Sequence, residues 1–208
     1  AVMGRVCYHP CEGACNRKQV DSSVGINSVE RFLGDLALAK GWAYDHVTVG
    51  YPGPVLHNRP VAEPHNLGPG WMGFDFAKAF GRPTRVMNDA AMQALGGYQG
   101  GKMLFLGFGT GLGTTLIVDG IVEPLELGHL PFRKATYEDY VGLRGLERLG
   151  KRKWRERVAE VIQQLSAALE PDEIVLGGGN ARLLKELPPH CRLGDNANAF
   201  TGKTGADA

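Results

Sequence analysis

Four short stretches hold residues whose types and spacing could do chemistry. In "LGFGTGLGTT", Gly107, Gly109, Gly111 and Gly113 let backbone N–H groups turn into a common concavity that can hold phosphate oxygens. The competing reading is a tight hairpin that needs positive φ. A dinucleotide fingerprint is excluded, because that turn must open a helix and "TTLIVDG" is a strand. "VMNDAAM" sets Asn88 and Asp89 where a strand ends and a helix starts. Asp89 can cap that helix, or it can be a general base aimed at a substrate hydroxyl, as phosphoryl transfer requires. "ELGHL" places Glu126 and His129 three apart on a turn, as a surface pair or as part of the same site. "IVLGGGN" offers Gly177, Gly178 and Gly179, a strand–turn–helix junction or a place of close approach by a ligand. "GGYQGGKM" has the spacing of a P-loop, but Met103 stands where Ser or Thr should bind magnesium, so it is set aside.

Strands alternating with helices must position these groups, which argues for an α/β fold. "GINSVERFLGDLALAKGW" is expected to be one helix, with Asn27 as cap, Glu30 three residues on and Gly41 at its end. "HVTVGYP" is a short strand, and residues 56–73 are expected to be a loop. A helix at "FDFAKAFG", a strand at "TRVMND", a helix at "AAMQALGGY" and a hairpin over 103–123 follow. "YEDYVGLRGLERLG" and "KWRERVAEVIQQLSAALEP" are expected to be helical, the second with Trp154, Val158, Val161, Leu165 and Leu169 on one face. "DEIVLGGGN" is a strand entering a glycine turn and "ARLLKELP" a helix leaving it.

The chain's 208 residues can bury a sizeable core, and 43% hydrophobic with 22% charged residues is ordinary for a soluble protein. A net charge of +1 provides no bulk field for nucleic acid or a membrane surface. No apolar run approaches the length of a membrane helix, so neither partner is expected and the default location is the cytoplasm. Cys7, Cys11 and Cys15 cluster near the start and only Cys191 lies beyond them, a pattern of metal chemistry in a reduced compartment rather than of a disulfide framework.

Taken in order, "VGYPGPV", "HNLGPGW", "VMNDAAMQALG", "LGFGTGLG", "ELGHLPF" and "IVLGGGNARLL" make the chain from about Tyr44 resemble the ROK family of sugar kinases, near the polyphosphate glucokinases. The resemblance implies an actin-like, ribonuclease H-like α/β fold. Asp89 would take the proton from the sugar 6-hydroxyl. Asn88, Glu126 and His129 would hydrogen-bond sugar hydroxyls, with Asn66 and Gly53 at the sugar side of the cleft. Gly109, Thr110, Gly111 and Gly113 would hold the donor phosphates, and Gly177, Gly178 and Gly179 would lie near the adenosine. Mg²⁺ would accompany ATP or polyphosphate, and the resemblance leaves room for a homodimer. Many ROK proteins build a zinc site from this His and a following cysteine cluster. "LPFRKATYEDYVGLRGLERLG" has no cysteine, so no zinc is expected, and Glu147 matches the family's further sugar-binding Glu only loosely.

The family opens with a strand carrying an Asp-Ile-Gly-Gly-Thr-like phosphate motif and two more strands, and nothing like them precedes Val47. In their place "GRVCYHPCEGACNRKQVDSSVGINSVERFLGD" resembles the iron–sulfur segment of glutamate synthase small subunits and related NADPH-dependent oxidoreductases. Cys7, Cys11 and Cys15 would then be iron–sulfur ligands. A [4Fe–4S] cluster usually takes four thiolates, so three unliganded thiols are the expectation here. The sequence therefore divides into a cysteine-rich helical segment (1–42), a truncated first kinase lobe (43–101) and a second lobe (102–208). The expected function is phosphoryl transfer to the 6-hydroxyl of glucose or a similar hexose, weakened by the truncation. The alternative is an electron-transfer segment.

Overall fold

The structure, a computed structural model, describes residues 45–64 and 69–195 together with residues 36 and 39–41. Cys7, Cys11, Cys15 and Asn66, and with them the expected cysteine-rich segment and most of the helix over 25–42, lie outside the described residues. At that helix's far end Leu36 and Ala39 are helical, and Gly41 turns left-handed at φ 61°.

Contacts gather the described residues into two compact units: those up to Val47 with Glu63–Thr84, and Thr48–Ala62 with Arg85 onward. In the first unit, Glu63 accepts hydrogen bonds from the N–H groups of Gly70, Trp71 and Met72 at 3.1, 3.1 and 3.2 Å. These bonds hold its carboxyl below the usual carboxylate range. Trp71, Phe74 and Phe76 pack ring on ring beside it. Helix α1 (Phe76–Phe80) starts where Asp75 accepts from Lys78 N–H and stops at left-handed Gly81.

Strand β1 (Val47–Tyr51) pairs with β4 (Thr84–Asn88) in a two-stranded sheet. Between them, β2 (Val55–Leu56) and β3 (Arg59–Pro60) form a small hairpin inside the segment expected to be all loop. Its two central residues, His57 and Asn58, both have positive φ, the geometry of a two-residue hairpin turn. Helix α2 (Asp89–Gly96) follows β4 without a break.

The larger sheet has five strands in the order β11-β10-β5-β6-β7: β5 (Lys102–Phe108), β6 (Leu112–Val118), β7 (Ile121–Leu125), β10 (Glu173–Gly177) and β11 (Cys191–Leu193). β5, β6 and β7 run antiparallel as a meander, so the hairpin expected over 103–123 gains a third strand through Asp119-Gly120. β10 runs parallel to β5 and β11.

Alternation along β5 divides the core. Met103 and Phe105 face α2 together with Ile117 and Val175. Leu104, Leu106 and Phe108 face the opposite side, against Trp154, Val158, Val161 and Leu165. Those last four lie on α4 (Leu143–Leu169), which follows the short α3 (Tyr137–Val141) and carries a break at Gly150, φ 73°. A small hairpin, β8 (Pro131–Phe132) with β9 (Ala135–Thr136), leads into α3, whose start is a reciprocal cap between Thr136 and Asp139.

The expected helix over "ARLLKELP" is corrected to a single 3-10 turn, Ala181–Leu183. Leu184 is already extended, and Pro188 and Pro189 cannot continue a helix, so the chain turns back into β11.

Candidate functional site

The turn between β5 and β6 is where the sequence left a choice. Not one of Gly107, Gly109, Gly111 and Gly113 is among the glycines with positive φ, so conformational need does not explain them. Three are explained by close neighbours. A methyl group on Gly107 would lie 3.1 Å from the Phe105 ring, on Gly111 2.5 Å from the Glu138 carboxylate, and on Gly113 3.0 Å from Ala90 Cβ. Gly109 has neither reason: among the described residues nothing comes within 4 Å.

The carbonyl oxygens from Phe108 to Gly111 all accept hydrogen bonds from the chain itself. Phe108 O accepts from Asn180 N–H at 3.0 Å, Thr110 O from Leu143 N–H at 3.1 Å and Gly111 O from Gly109 N–H at 3.2 Å. Gly109 O accepts from Asn180 Nδ2 at 3.2 Å. The N–H groups of Thr110 and Gly111 have no acceptor among the described residues. Amides without an acceptor leave this turn with donors that a ligand could use.

Asn88 and Asp89 sit at the end of β4. Asn88, not Asp89, caps α2: its Oδ1 accepts from Ala91 N–H at 3.2 Å, while its Nδ2 donates to Gly53 O at 3.1 Å. Asn88 is 9% exposed, and its side chain keeps one amide hydrogen and one oxygen lone pair beyond these two bonds. Relieved of capping, Asp89 is the first residue of the helix, and its Oδ1 accepts from the adjacent Ala90 N–H at 2.8 Å.

Solvent reaches the Asp89 side chain, yet enough protein surrounds it that burial pushes its carboxyl above the usual carboxylate value, against the opposing pull of the Ala90 N–H. The next residue, Ala90, is the one seated against Gly113. Asp89 itself lies against β1: its Cα and Cβ are each 3.6 Å from where a methyl group on Gly50 would sit.

On the other flank, Glu126 and His129 bracket the 3-10 turn Leu127–His129. Thr114 Oγ donates to Leu125 O and accepts from Leu127 N–H, at 2.7 and 3.1 Å, which pins this turn to β6. His129 Nε2 is 3.6 Å from Glu126 Oε2, and His129 Nδ1 is 3.5 Å from Glu138 Oε1. Glu138, in the first turn of α3, is a residue the sequence reading passed over. Its only signal was a place inside "TYEDY", which reads as an ordinary capped helix start. It touches both His129 and the space over Gly111. Glu147 is exposed on α4, and no described contact joins it to this group.

Gly177, Gly178 and Gly179 end β10. A methyl group on Gly177 would meet the Phe105 ring at 2.5 Å, and one on Gly178, φ 80°, would meet Phe108 O at 2.5 Å. Beyond them opens a depression of about 380 Å³ lined by Gly178, Gly179, Ala181, Arg182, Leu193 and Asp195, at the carboxyl ends of the parallel strands β10 and β11. That end of a parallel sheet is where α/β proteins bind ligands.

Among the described residues no three His, Cys, Asp or Glu side chains group to hold a metal ion. A magnesium ion that arrives with ligand phosphates needs no such group of protein ligands. A carboxylate close to the glycine turn is that of Glu138, 2.5 Å from where a methyl group on Gly111 would lie. Among the described residues no helix is long and apolar enough to cross a membrane.

No family model matches the chain. The polyphosphate glucokinase of Mycobacterium tuberculosis is 28% identical over 177 residues, covering 78% of this chain and 66% of its own length. The chain thus spans just under two thirds of that relative. A crystal structure of an inorganic polyphosphate/ATP-glucomannokinase from Arthrobacter matches with a TM-score of 0.66 at 24% identity, over 80% of this chain and 77% of that one. A ROK hexokinase from Thermus thermophilus matches with a TM-score of 0.60 at 23% identity, over 81% of this chain and 80% of that one. A separate short match, 56% identical over 39 residues, is to the NADH glutamate synthase of Schizosaccharomyces pombe, covering 19% of this chain and 2% of that enzyme. Both resemblances read from the sequence thus have relatives behind them. The fold is the actin-like α/β fold of the ROK sugar kinases.

Proposed function

We propose that this chain, built on the ROK sugar-kinase fold, holds glucose or a similar hexose against a phosphoryl donor, ATP or polyphosphate, for transfer to the sugar's 6-hydroxyl. The observation that supports the reading is the seating of Ala90, the residue after Asp89, on Gly113 of the strand that leaves the turn with unoccupied amides. Asp89 accepts the hydroxyl proton as the oxygen bonds to the terminal phosphorus. The bond from that phosphorus to the bridging oxygen breaks, and ADP or a polyphosphate one unit shorter leaves. Asn88, Gly53, Glu126 and His129 line the sugar side, and Glu138 joins them through His129. Thr110 and Gly111 N–H groups receive donor phosphate oxygens, and the depression beside Gly178 and Gly179 takes the nucleoside of ATP. Magnesium, carried with the donor, neutralises phosphate charge. Positioning and charge stabilisation are most of what such a transfer asks of a protein.

The raised carboxyl of Asp89 suits a base that must be deprotonated to act: activity is expected to fall as pH drops through a value above the ordinary aspartate range. The deciding experiment joins the family's opening phosphate strand to this chain and compares that parent with Asp89→Asn. Turnover should fall by about a thousandfold or more, with glucose affinity held within a few-fold. Equal turnover in the two proteins would overturn the assignment of the base.

A second reading rests on the short glutamate synthase match: residues 1–42 as part of an iron–sulfur electron-transfer unit, with Cys7, Cys11 and Cys15 as thiolate ligands. Anaerobic reconstitution with iron and sulfide would test it, a visible charge-transfer band being the supporting result and a colourless protein the opposing one.

A further inference from the structure

Of the four consecutive carbonyl oxygens from Phe108 to Gly111, two are held by a single residue. Asn180 donates its backbone N–H to Phe108 O at 3.0 Å and its side-chain Nδ2 to Gly109 O at 3.2 Å. Asn180 lies 71 residues further along the chain, in the turn that follows β10. It reaches the donor turn because Gly178 has no side chain: a methyl group there would lie 2.5 to 2.7 Å from the backbone of Phe108. Leu143 and Gly109 hold the other two carbonyls.

We propose that Asn180 is a positioning residue that ties the β5–β6 turn to the glycine turn after β10, keeping the carbonyls of the first turned inward so that its amides alone face the donor phosphates. The ligand class is the inorganic or nucleotide polyphosphate of the proposed reaction, and the role for that ligand rests on that reading. The physical need is electrostatic. A carbonyl oxygen swung toward the concavity would repel a phosphate as strongly as an amide attracts it, so the site works only while those oxygens are occupied. The tie also joins the two halves of the donor site. The depression that Gly178, Gly179 and Arg182 line is connected to the phosphate turn by the same residue. ATP, which engages both halves, depends on their relative placement. An inorganic polyphosphate can engage the phosphate turn without the depression.

The test uses the full ¹⁵N-labelled chain, with Asn180→Ala and its isostere Asn180→Asp, which lacks the Nδ2 donor and sets a carboxylate against Gly109 O. Amide exchange is followed at Gly109 and Leu143, whose N–H groups are protected only while the turn stays in place. Inorganic tripolyphosphate and ATP are titrated against the Thr110 and Gly111 amide shifts. Asn180→Ala should speed exchange at Gly109 and Leu143 by roughly three- to tenfold, the worth of one such hydrogen bond, with exchange over Ile174–Leu176 unchanged. ATP affinity should fall by about tenfold and tripolyphosphate affinity by less, with Asn180→Asp weaker than Asn180→Ala for both. Parent exchange rates at Gly109 and Leu143, or a rise shared by the whole sheet, would overturn the tie. If the parent binds neither tripolyphosphate nor ATP, the kinase reading fails, and the exchange measurement alone still decides whether Asn180 holds the turn.

Discussion

The five-stranded sheet and the β1–β4 pair are built from similar strands and differ in what surrounds them. β5 has a hydrogen-bonded strand on each side and a helix on each face, and Met103, Leu104, Phe105 and Leu106 are 0 to 1% exposed. β1 has one described partner, and four of its five residues are only half-buried. An isolated strand pair is marginal in water, whereas a central strand covered on both faces belongs to the most protected part of a protein. The difference teaches that the glycine turn rests on a sheet able to hold it, while the strand leading to Asp89 depends on what else lies along β1. A row of unpaired backbone groups on β1 would also invite pairing with another chain.

The largest expected effect is in hydrogen exchange. Amides of Leu104–Leu106 should exchange at least about a thousandfold more slowly than those of Val49–Tyr51, the spread between global and local opening. Equal protection in a monomeric sample would break the contrast and would mean that β1 is supported as well as β5.

Next in size is Gly178→Ala. Alanine at φ 80° is strained, and its methyl group would press on the Phe108 backbone, which cannot swing aside as a side-chain tip could. Together these should destabilise the sheet region by about 2–4 kcal/mol, read as a lower urea midpoint. Exchange at β1 should rise by a smaller factor if the two regions open separately. An unchanged midpoint would show that the two turns are not in the close contact described.

Much of this was legible in the sequence, and for physical reasons. Periodicity exposed α4, since Trp154, Val158, Val161 and Leu165 must share the buried face. Alternation and glycine spacing exposed β5, β6 and the turn between them. What escaped was set by tertiary contact or by very short elements. The β2–β3 hairpin has two residues a side and no alternation to read. "ARLLKELP" carries good helix formers but is claimed by the return into β11. Glu138 gains its interest only because α3 folds its first turn over Gly111 and against His129, sites 27 and 9 residues earlier in the sequence. The choice left open for Asp89, cap or base, was decided by its neighbour: Asp89 and Asn88 are equally good caps on paper, and strand β4 delivers Asn88 into the position.

Within the well-supported sheet one flaw sharpens the contrast. Thr115 Oγ is fully buried without a hydrogen-bond partner among the described residues, on β6 between Phe105 of β5 and Pro124 of β7. Thr115→Val keeps the shape and removes the orphaned hydroxyl, so the protein should gain about 1 kcal/mol, or roughly 2–4 °C in Tm for a chain of this size. A loss of stability would show that the hydroxyl has a partner, such as an ordered water, and that this side of the sheet is less dry than its packing implies.

The smallest effect concerns the weaker region and is a matter of sign. Burial raises the Asp89 carboxyl in the folded protein above its ordinary value of 3.8. The folded chain therefore holds that proton more tightly than the unfolded chain does. Where the folded state binds more protons, stability falls as pH rises through the window between the ordinary and the raised value. Above the window both states are ionised and the cost of the buried charge is fully present; below it both are protonated and the cost is gone. Asp89→Asn removes the charge with little change of shape. The variant should be slightly more stable than the parent at pH 7, and the advantage should shrink to nothing below about pH 4, the ordinary aspartate range. Thermal melts of both proteins across pH 3 to 8 measure this. A variant less stable than the parent at neutral pH would mean that the Ala90 N–H and the start of α2 hold the carboxylate better than burial disfavours it. The residue would then be a helix-terminus anchor in the less supported region, and no longer a poised base.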